Sequence, residues 1–202
     1  MPNSGNICGK NVKTLLKDLS SDSPIKKTIA VDALNALSHT CYERSGSPYV
    51  TKFKADPFDE LAIRRDSFSV IVGALVPYIK FMMKNGLDFR ILELDKSALK
   101  GDELKYFIPQ ECAGDAIRAA DNLIITGVTL LNDTLEEILS LKKSGAEVIV
   151  VGPTVSMSPK ALFDRGVSHA GGVYTTHADE LLGVIAQAGS GYRFSANLRR
   201  NS

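Results

Sequence analysis

The sequence has no tryptophan, only three cysteines and almost no charge imbalance. Lys and Arg together number 24 against 23 Asp and Glu, so no basic field attracts nucleic acid or an anionic membrane surface. Cys8, Cys41 and Cys112 are widely spaced and form no CxxC pair, which excludes a disulfide framework and a zinc ribbon. No apolar run approaches the roughly 18 residues that a bilayer span needs. We therefore expect neither a nucleic-acid nor a membrane partner.

Several catalytic signatures are also missing. The sequence has no GxSxG nucleophile elbow, no HExxH metal motif and no GK[ST] after a glycine-rich turn. The turn at residues 73–77 reads GALVP rather than GxGxxG, which disfavours a dinucleotide site. The first residues, MPNSGNICGKNVK, lack the apolar core of a signal peptide, so the expected compartment is the cytoplasm.

From residue 67 onward, apolar strand-like runs alternate with helical patterns. Such alternation, with central strands that are apolar throughout, is typical of a parallel sheet covered on both faces. It predicts an α/β fold with a Rossmann-like, doubly wound, mostly parallel five-stranded sheet. The predicted strands are 68–73, 89–94, 122–127, 147–152 and 167–172, and the predicted helices are 77–86, 111–120, 133–145, 158–166 and 177–189.

The first 66 residues follow a different pattern, and we predict a domain boundary between residues 1–66 and 67–202. Apolar residues indicate a helix at 10–19. Ser23 and Pro24 are suited to the start of a second helix, which runs to about residue 42. Residues 44–66 are rich in charge and turn formers, which predicts a linker or a lid.

Small polar residues and glycines follow the predicted strands. The stretch IITGVTLLNDT at 124–134 carries more hydroxyl and amide side chains than a turn requires. Capping explains some of them, because Asp133 with Glu136 fits a capping box. The rest predict a binding loop, since parallel strands place their carboxyl ends at one ligand-binding edge. The predicted ligand-binding residues are Asn35, Gly73, Glu93, Thr126, Gly127, Thr129, Asn132, Thr134, Gly152, Pro153 and Thr154.

Acidic and metal-ligating residues leave alternatives open. Glu93 lies 20 residues after Gly73, a spacing at which an acid can bind a ribose hydroxyl. In an enzyme, His169 or Asp32 would then act as acid or base. The weak candidates for metal ligands are His39, Cys41, Cys112 and His169, chosen because soft metals prefer thiolate and imidazole.

Two stretches resemble a known family. They are TGVTLLNDTLEEIL from residue 126 and VVGPTVSMSPKALFDRGVSHAGGVY from residue 150. They are similar to the Rossmann-like domain of the family described as "putative heavy-metal chelation". The residues that match its patterns are Thr126, Gly127, Thr129, Asn132, Thr134, Gly152, Pro153, Thr154, Pro159, Phe163, Gly166, Val167 and Gly172.

The resemblance implies that a small ligand or a metal binds in a cleft between helix 23–42 and the loops of the Rossmann-like domain. Residues 1–66 resemble the end of that family's partner domain, which is similar to the enolase N-terminal domain but here lacks its strands. An apolar helix face would then be exposed, to be covered by a second copy, by a partner chain or by residues 44–66.

Three functions are consistent with these features. The first is a protein that binds a small molecule, a metal ion or a metal chelate. The second is a transferase-like enzyme with a nucleoside-type cofactor in the same cleft. The third is a non-catalytic subunit, completed by a partner chain.

Overall fold

The computed structural model describes residues 6–189. The chain divides into two compact units, one up to Gly172 and one from Val173 onward. The first unit contains a five-stranded sheet. Its strands are β1 (Phe68–Val72), β2 (Asp88–Leu92), β3 (Asn122–Thr126), β4 (Glu147–Val151) and β5 (His169–Gly171).

The strands pair in the order β2-β1-β3-β4-β5, and every pair is parallel. The predicted Rossmann-like sheet is thereby confirmed. Parallel pairing explains the apolar strand sequences, because both faces of the sheet are covered. Alternate residues of β3 supply opposite cores: Leu123 and Ile125 pack on one face, and Ile124 on the other.

The helices lie close to the predicted positions. Their bounds are α1 (Val12–Leu16), α2 (Pro24–Ser45), α3 (Val76–Lys84), α4 (Ala113–Ala119), α5 (Leu135–Leu141), α6 (Lys160–Phe163) and α7 (Ala178–Ala186). Ser23 precedes α2 as predicted, but its side chain makes no capping hydrogen bond. Pro159 occupies the N-cap position of α6, so this helix begins two residues after the predicted start at 158.

Helix α2 buries a different face from the one that its apolar residues suggest. Lys27, Ala30 and Val31 are buried, whereas Ile25 and Leu37 are exposed. The helix packs mainly on α1 and on the 3₁₀ turn after it at Lys17–Ser20, and it also contacts the turn at Pro153–Val155. The predicted exposed apolar face on this helix stays a prediction.

Residues 44–66 are mostly irregular, with one short 3₁₀ turn at Pro57–Glu60. Phe58 lies in the core and stacks on the Tyr78 ring, with centroids 4.5 Å apart. The Tyr78 hydroxyl donates to Asp56 Oδ1 at 2.7 Å. A Cβ on Gly171 would overlap the Pro57 ring, so the segment lies directly against β5. The predicted linker therefore forms part of the covering of the sheet.

In the second unit, helix α7 has no buried residue, and its Leu182 side chain is 63% exposed. Among residues 6–189, no helix combines the length and the hydrophobicity that crossing a membrane requires. The division of the chain at residue 66 stays a prediction.

Candidate functional site

The strand order reverses between β1 and β3, where doubly wound sheets form a ligand crevice. Gly73 and Thr126 meet at this point. A Cβ on Gly73 would lie 2.7 Å from Thr126 Cγ2, and the residue has a φ of 97°. Both the contact and the dihedral angle require glycine. The structure thus brings together the first predicted pair of site residues.

The polar loop after β3 is bonded within itself. The Thr129 hydroxyl donates to the Thr126 carbonyl at 2.7 Å, and Thr129 is only 2% exposed. The Thr134 hydroxyl donates to Asn132 Oδ1, also at 2.7 Å. The Thr134 amide donates to the Thr129 carbonyl. The excess of polar side chains in this loop therefore stabilises the turn itself, in addition to any contact with a ligand.

Asp133 links this loop to α2. It has a φ of 60°, in the left-handed region, and its carboxylate pairs with the ammonium group of Lys27. Lys27 is buried, whereas the Asp133 side chain is 75% exposed. The predicted capping box of Asp133 and Glu136 is not formed. Thr134 occupies the N-cap position of α5 instead, and no side chain caps this helix.

The loop after β4 packs against the loop after β3. A Cβ on Gly127 would overlap Thr154 Oγ1, so glycine permits the two loops to touch. Gly152, with a φ of 131°, lies beside the Gly127 amide. The Asn35 side chain of α2 donates from Nδ2 to the Pro153 carbonyl at 3.1 Å. A continuous row of contacts therefore runs from α2 to the β1–β3 crevice.

Glu93 follows β2 and is partly exposed. Its Oε1 atom accepts a hydrogen bond from the Asp95 amide at 3.1 Å. The Gly73 amide donates to Leu92, the residue before Glu93. The carboxylate therefore belongs to the same edge as the crevice. Two exposed apolar side chains, Leu94 and Val128, follow β2 and β3 at this edge.

Asp32 lies one turn before Asn35 on α2. Partial burial raises the pKa of its carboxyl group above the ordinary value of 3.8. This is the direction expected when a carboxylate is partly removed from water without an opposite charge.

The candidate metal ligands do not converge. Within the described chain, no three His, Cys, Asp or Glu side chains form a group that could hold a metal ion. Cys41 and Cys112 are each exposed. His39 Nδ1 lies 3.6 Å from Glu43 on the next turn of α2. The donors in the described part of the chain therefore do not by themselves form a metal centre.

His169 lies within β5, inside the predicted strand 167–172, and it pairs with Ile149 of β4. It shares a face of the sheet with Gly171, the face against which Pro57 packs. Its Nδ1 atom is buried and has no hydrogen-bond partner among residues 6–189.

Sequence reasoning missed three residues of α2: Lys27, Ser38 and Tyr42. Ser38 lines a groove of about 290 Å³ between α2 and the residues around α6. Tyr42, one turn further, has a buried hydroxyl with no partner in the described part of the chain. The available signal was spacing, since residues 27, 31, 35, 38 and 42 fall on one helical stripe.

A second groove, of about 320 Å³, lies between residues 58–65 and α3, away from the carboxyl edge of the sheet.

Comparison with known families identifies a match to a family model over most of the chain. A sequence model of the family described as "Putative heavy-metal chelation" (DUF364) matches residues 56–202. The chain is also 28% identical over 194 residues to "Uncharacterized protein MJ0500" of Methanocaldococcus jannaschii. That match covers 92% of this chain and 68% of the relative.

Two solved structures are similar in fold. One is a protein of unknown function from the DUF364 family of Pyrococcus horikoshii, with a TM-score of 0.72 and 19% identity; the match covers 92% of this chain and 71% of that one. The other is a protein from the same family of Desulfitobacterium hafniense DCB-2, with a TM-score of 0.65 and 22% identity. It covers 83% of this chain and 65% of that chain.

Proposed function

Because the chain belongs to the DUF364 family, described as "Putative heavy-metal chelation", we propose that it binds a small polar ligand, free or as a metal chelate. The ligand lies at the carboxyl edge of the sheet, beneath α2. The loops after β1, β3 and β4 form the floor of this site. The family description and the structural relatives do not favour the transferase-like alternative with a nucleoside-type cofactor.

One observation carries the proposal. Asn35 joins α2 to the loop after β4 through Nδ2, while its Oδ1 atom is buried without a hydrogen-bond partner among the described residues. A buried acceptor without a donor costs about 1–3 kcal/mol. Such atoms are rare in folded proteins and call for a physical explanation. A ligand that donates a hydrogen bond to Asn35 removes this cost.

The crevice supplies the remaining contacts. Thr126 is partly exposed, and its Oγ1 accepts a long hydrogen bond of 3.4 Å from the Val128 amide. Its hydroxyl proton remains available to a ligand. Glu93 offers a carboxylate, and Gly73 gives a ligand close access to the backbone. The proposed contact residues are Asn35, Gly73, Glu93, Thr126, Gly127, Thr129, Asn132, Thr134, Gly152, Pro153 and Thr154.

The arrangement of side chains at the proposed site also determines how a metal ion can be held there. Since the described side chains provide no three-donor cluster, a bound chelate brings its own ligand atoms. In this proposal the protein recognises the organic part of the chelate through hydrogen bonds. Direct binding of a bare cation requires donors from elsewhere, such as a second chain.

Native mass spectrometry of the freshly purified protein tests the proposal. We expect an excess mass that disappears when the same sample is denatured, and elemental analysis of the released material shows whether it contains a metal. Thr126→Val keeps the methyl group that packs on Gly73 and removes the hydroxyl. We expect this variant to retain the fold and to hold roughly tenfold less ligand, about the effect of one hydrogen bond.

The matched control is Thr40→Val, because the Thr40 hydroxyl is bonded to the Ala36 carbonyl on the exposed surface of α2. This variant should keep the wild-type occupancy. The proposal fails if the native mass is clean and no compound in a thermal-shift screen stabilises the wild type more than it stabilises Thr126→Val.

A further inference from the structure

The groove between residues 58–65 and α3 has the size and the lining of a small-molecule site. Its volume of about 320 Å³ lies within the range of such sites, which are mostly apolar with a few polar groups. Phe58 and Leu61 are buried there, and the Phe81 ring of α3 is 48% exposed. The Phe58 and Phe81 rings meet edge to face, with centroids 5.2 Å apart. The other apolar residues of the lining are Ile63 and Leu87.

Two unpaired charges of opposite sign line the same groove, Asp59 and Arg65. In the described part of the chain neither side chain has an ion-pair partner, and they do not pair with each other. Their sequence neighbours Glu60 and Arg64 are each in an ion pair, at 2.7 and 3.0 Å, and neither of these neighbours lines the groove. The segment therefore pairs the charges outside the groove and leaves one charge of each sign available within it.

These two charges favour a ligand that itself carries both signs. A guanidinium group presents its N–H donors in a fork that matches a carboxylate. The carboxylate of Asp59 only accepts hydrogen bonds, so it suits an ammonium group. A simple anion would be repelled by Asp59, and a simple cation would be repelled by Arg65. A zwitterion satisfies both side chains.

The carboxyl-terminal end of α3 adds a preference for positive charge. Asn85, the C-cap residue of this helix, lines the groove. Its Nδ2 atom donates to the Phe81 carbonyl at 2.8 Å, and its Oδ1 atom is an acceptor. The last carbonyls of a helix carry partial negative charge, which stabilises a cation within the final turn. An ammonium group is therefore favoured at this end of the groove.

We propose that this groove binds an apolar zwitterion, the chemistry that hydrophobic amino acids and short hydrophobic peptides share. The carboxylate of the ligand pairs with Arg65, and its ammonium group pairs with Asp59. The apolar body of the ligand lies against Leu61 and Phe81. The groove is away from the carboxyl edge of the sheet, so this site goes beyond the proposed function, and each can stand without the other.

Titration calorimetry of the full chain with phenylalanine and leucyl-leucine tests the zwitterion site. The N-acetyl derivative of each compound lacks the ammonium charge, and the carboxyl-terminal amide of each lacks the carboxylate. We expect a zwitterion to bind about tenfold more tightly than either derivative, the ratio that one hydrogen bond to a charged group provides. Tighter binding of phenylalanine would assign the groove to free amino acids, and tighter binding of leucyl-leucine would assign it to short peptides.

Two variants separate the contributions of the charges. Arg65→Gln should abolish the preference for the free carboxylate over the amide, and Asp59→Asn should abolish the preference for the free ammonium group over its acetyl derivative. The matched controls are Arg64→Gln and Glu60→Gln, which make the same changes one residue away and outside the groove. Both controls should keep both preferences. Asp59 and Arg65 are exposed, so their variants should melt at the wild-type temperature.

Four results would overturn the zwitterion site. The first is that the wild type binds neither zwitterion at millimolar concentration. The second is equal affinity for a zwitterion and its two derivatives. The third is that both preferences survive Arg65→Gln and Asp59→Asn, or are lost equally in the two controls. The fourth is loss of zwitterion binding in Thr126→Val, which moves the ligand to the crevice and leaves the proposed function standing.

Discussion

The loop after β3 and the stripe of α2 are both polar, but their polar groups are used in opposite ways. In the loop, Thr129 and Thr134 donate to neighbouring oxygens within a few residues. In the stripe, Asn35 Oδ1 and Tyr42 Oη are buried with no such neighbour in the described chain. The loop has the conspicuous sequence, whereas the stripe is dispersed through an ordinary helix.

The difference shows that a concentration of polar residues is a weak measure of unmet hydrogen bonding. Short side chains close together in sequence satisfy each other in a turn. Side chains three or four residues apart on a helix point outward, to whatever packs on them. Unsatisfied groups are therefore more readily found on a helix face that packs on loops than within a loop.

The largest expected effect concerns the tight contact of the two loops. In Gly127→Ala the new methyl group overlaps Thr154 Oγ1 and Val155 Cγ2, so we expect unfolding to become about 3 kcal/mol easier in urea titrations. Gly114→Ala is the control, since its methyl group meets only the mobile end of Arg118. The control should be neutral or slightly stabilising. Equal stability of the two variants would show that the loops separate easily.

Replacing the two partners of the Lys27–Asp133 ion pair, which joins α2 to the loop after β3, should destabilise the protein by different amounts. Asp133→Asn leaves the buried Lys27 ammonium without its counter-charge, so we expect a loss of about 1–2 kcal/mol. Asn also tolerates the positive φ of this position. Lys27→Met leaves only an exposed carboxylate, so its cost should be smaller. Chemical denaturation of both variants measures the difference, and a greater cost for Lys27→Met would contradict the assignment.

The next largest effect is expected from removal of the Thr129 hydroxyl in the loop after β3. Thr129→Val keeps the shape of a buried side chain but leaves the Thr126 carbonyl without this donor. We expect a loss of about 1 kcal/mol in the free energy of unfolding. Ser140→Ala removes an exposed hydroxyl that donates to the Glu137 carbonyl, and it should change little. If Thr129→Val left the free energy of unfolding unchanged, the hydrogen bonds within the loop after β3 would not stabilise it, and its contrast with the polar stripe of α2 would be lost.

The smallest effect is a pH dependence. Burial raises the pKa of Asp32, so the folded state binds more protons than the unfolded state between pH 3.8 and that raised pKa. Stability should fall as the pH rises through this window, and Asp32→Asn should remove the fall.

The pKa of Asp121 shifts in the opposite direction. The hydrogen bond from Lys143, and then that from the Phe68 amide, lower the pKa of this carboxyl group. Its contribution is lost as the pH falls through the lowered pKa, so Asp121→Asn should flatten the acid side of the same denaturation profile.

The sheet could be predicted from the sequence because its central strands β1, β3 and β4 carry buried apolar runs, such as VIVV in β4. The grouping of Gly73 with Thr126 was also predictable, since parallel topology places strand ends at one edge. The orientation of α2 was not. Its buried residues include Lys27 and Ser38, and the partners of Lys27 and Asn35 lie far away in sequence, so apolar spacing alone does not identify this face.

The two side-chain links between α2 and the carboxyl edge join residues separated by 106 and 118 positions. Contacts of such separation close large loops of chain, and they form slowly. During synthesis α2 emerges well before the strands on which it packs. We therefore expect the docking of α2 to be the last step of folding, on a sheet that is already assembled. The helix that covers the proposed site is thus also the element whose attachment depends on the rest of the fold.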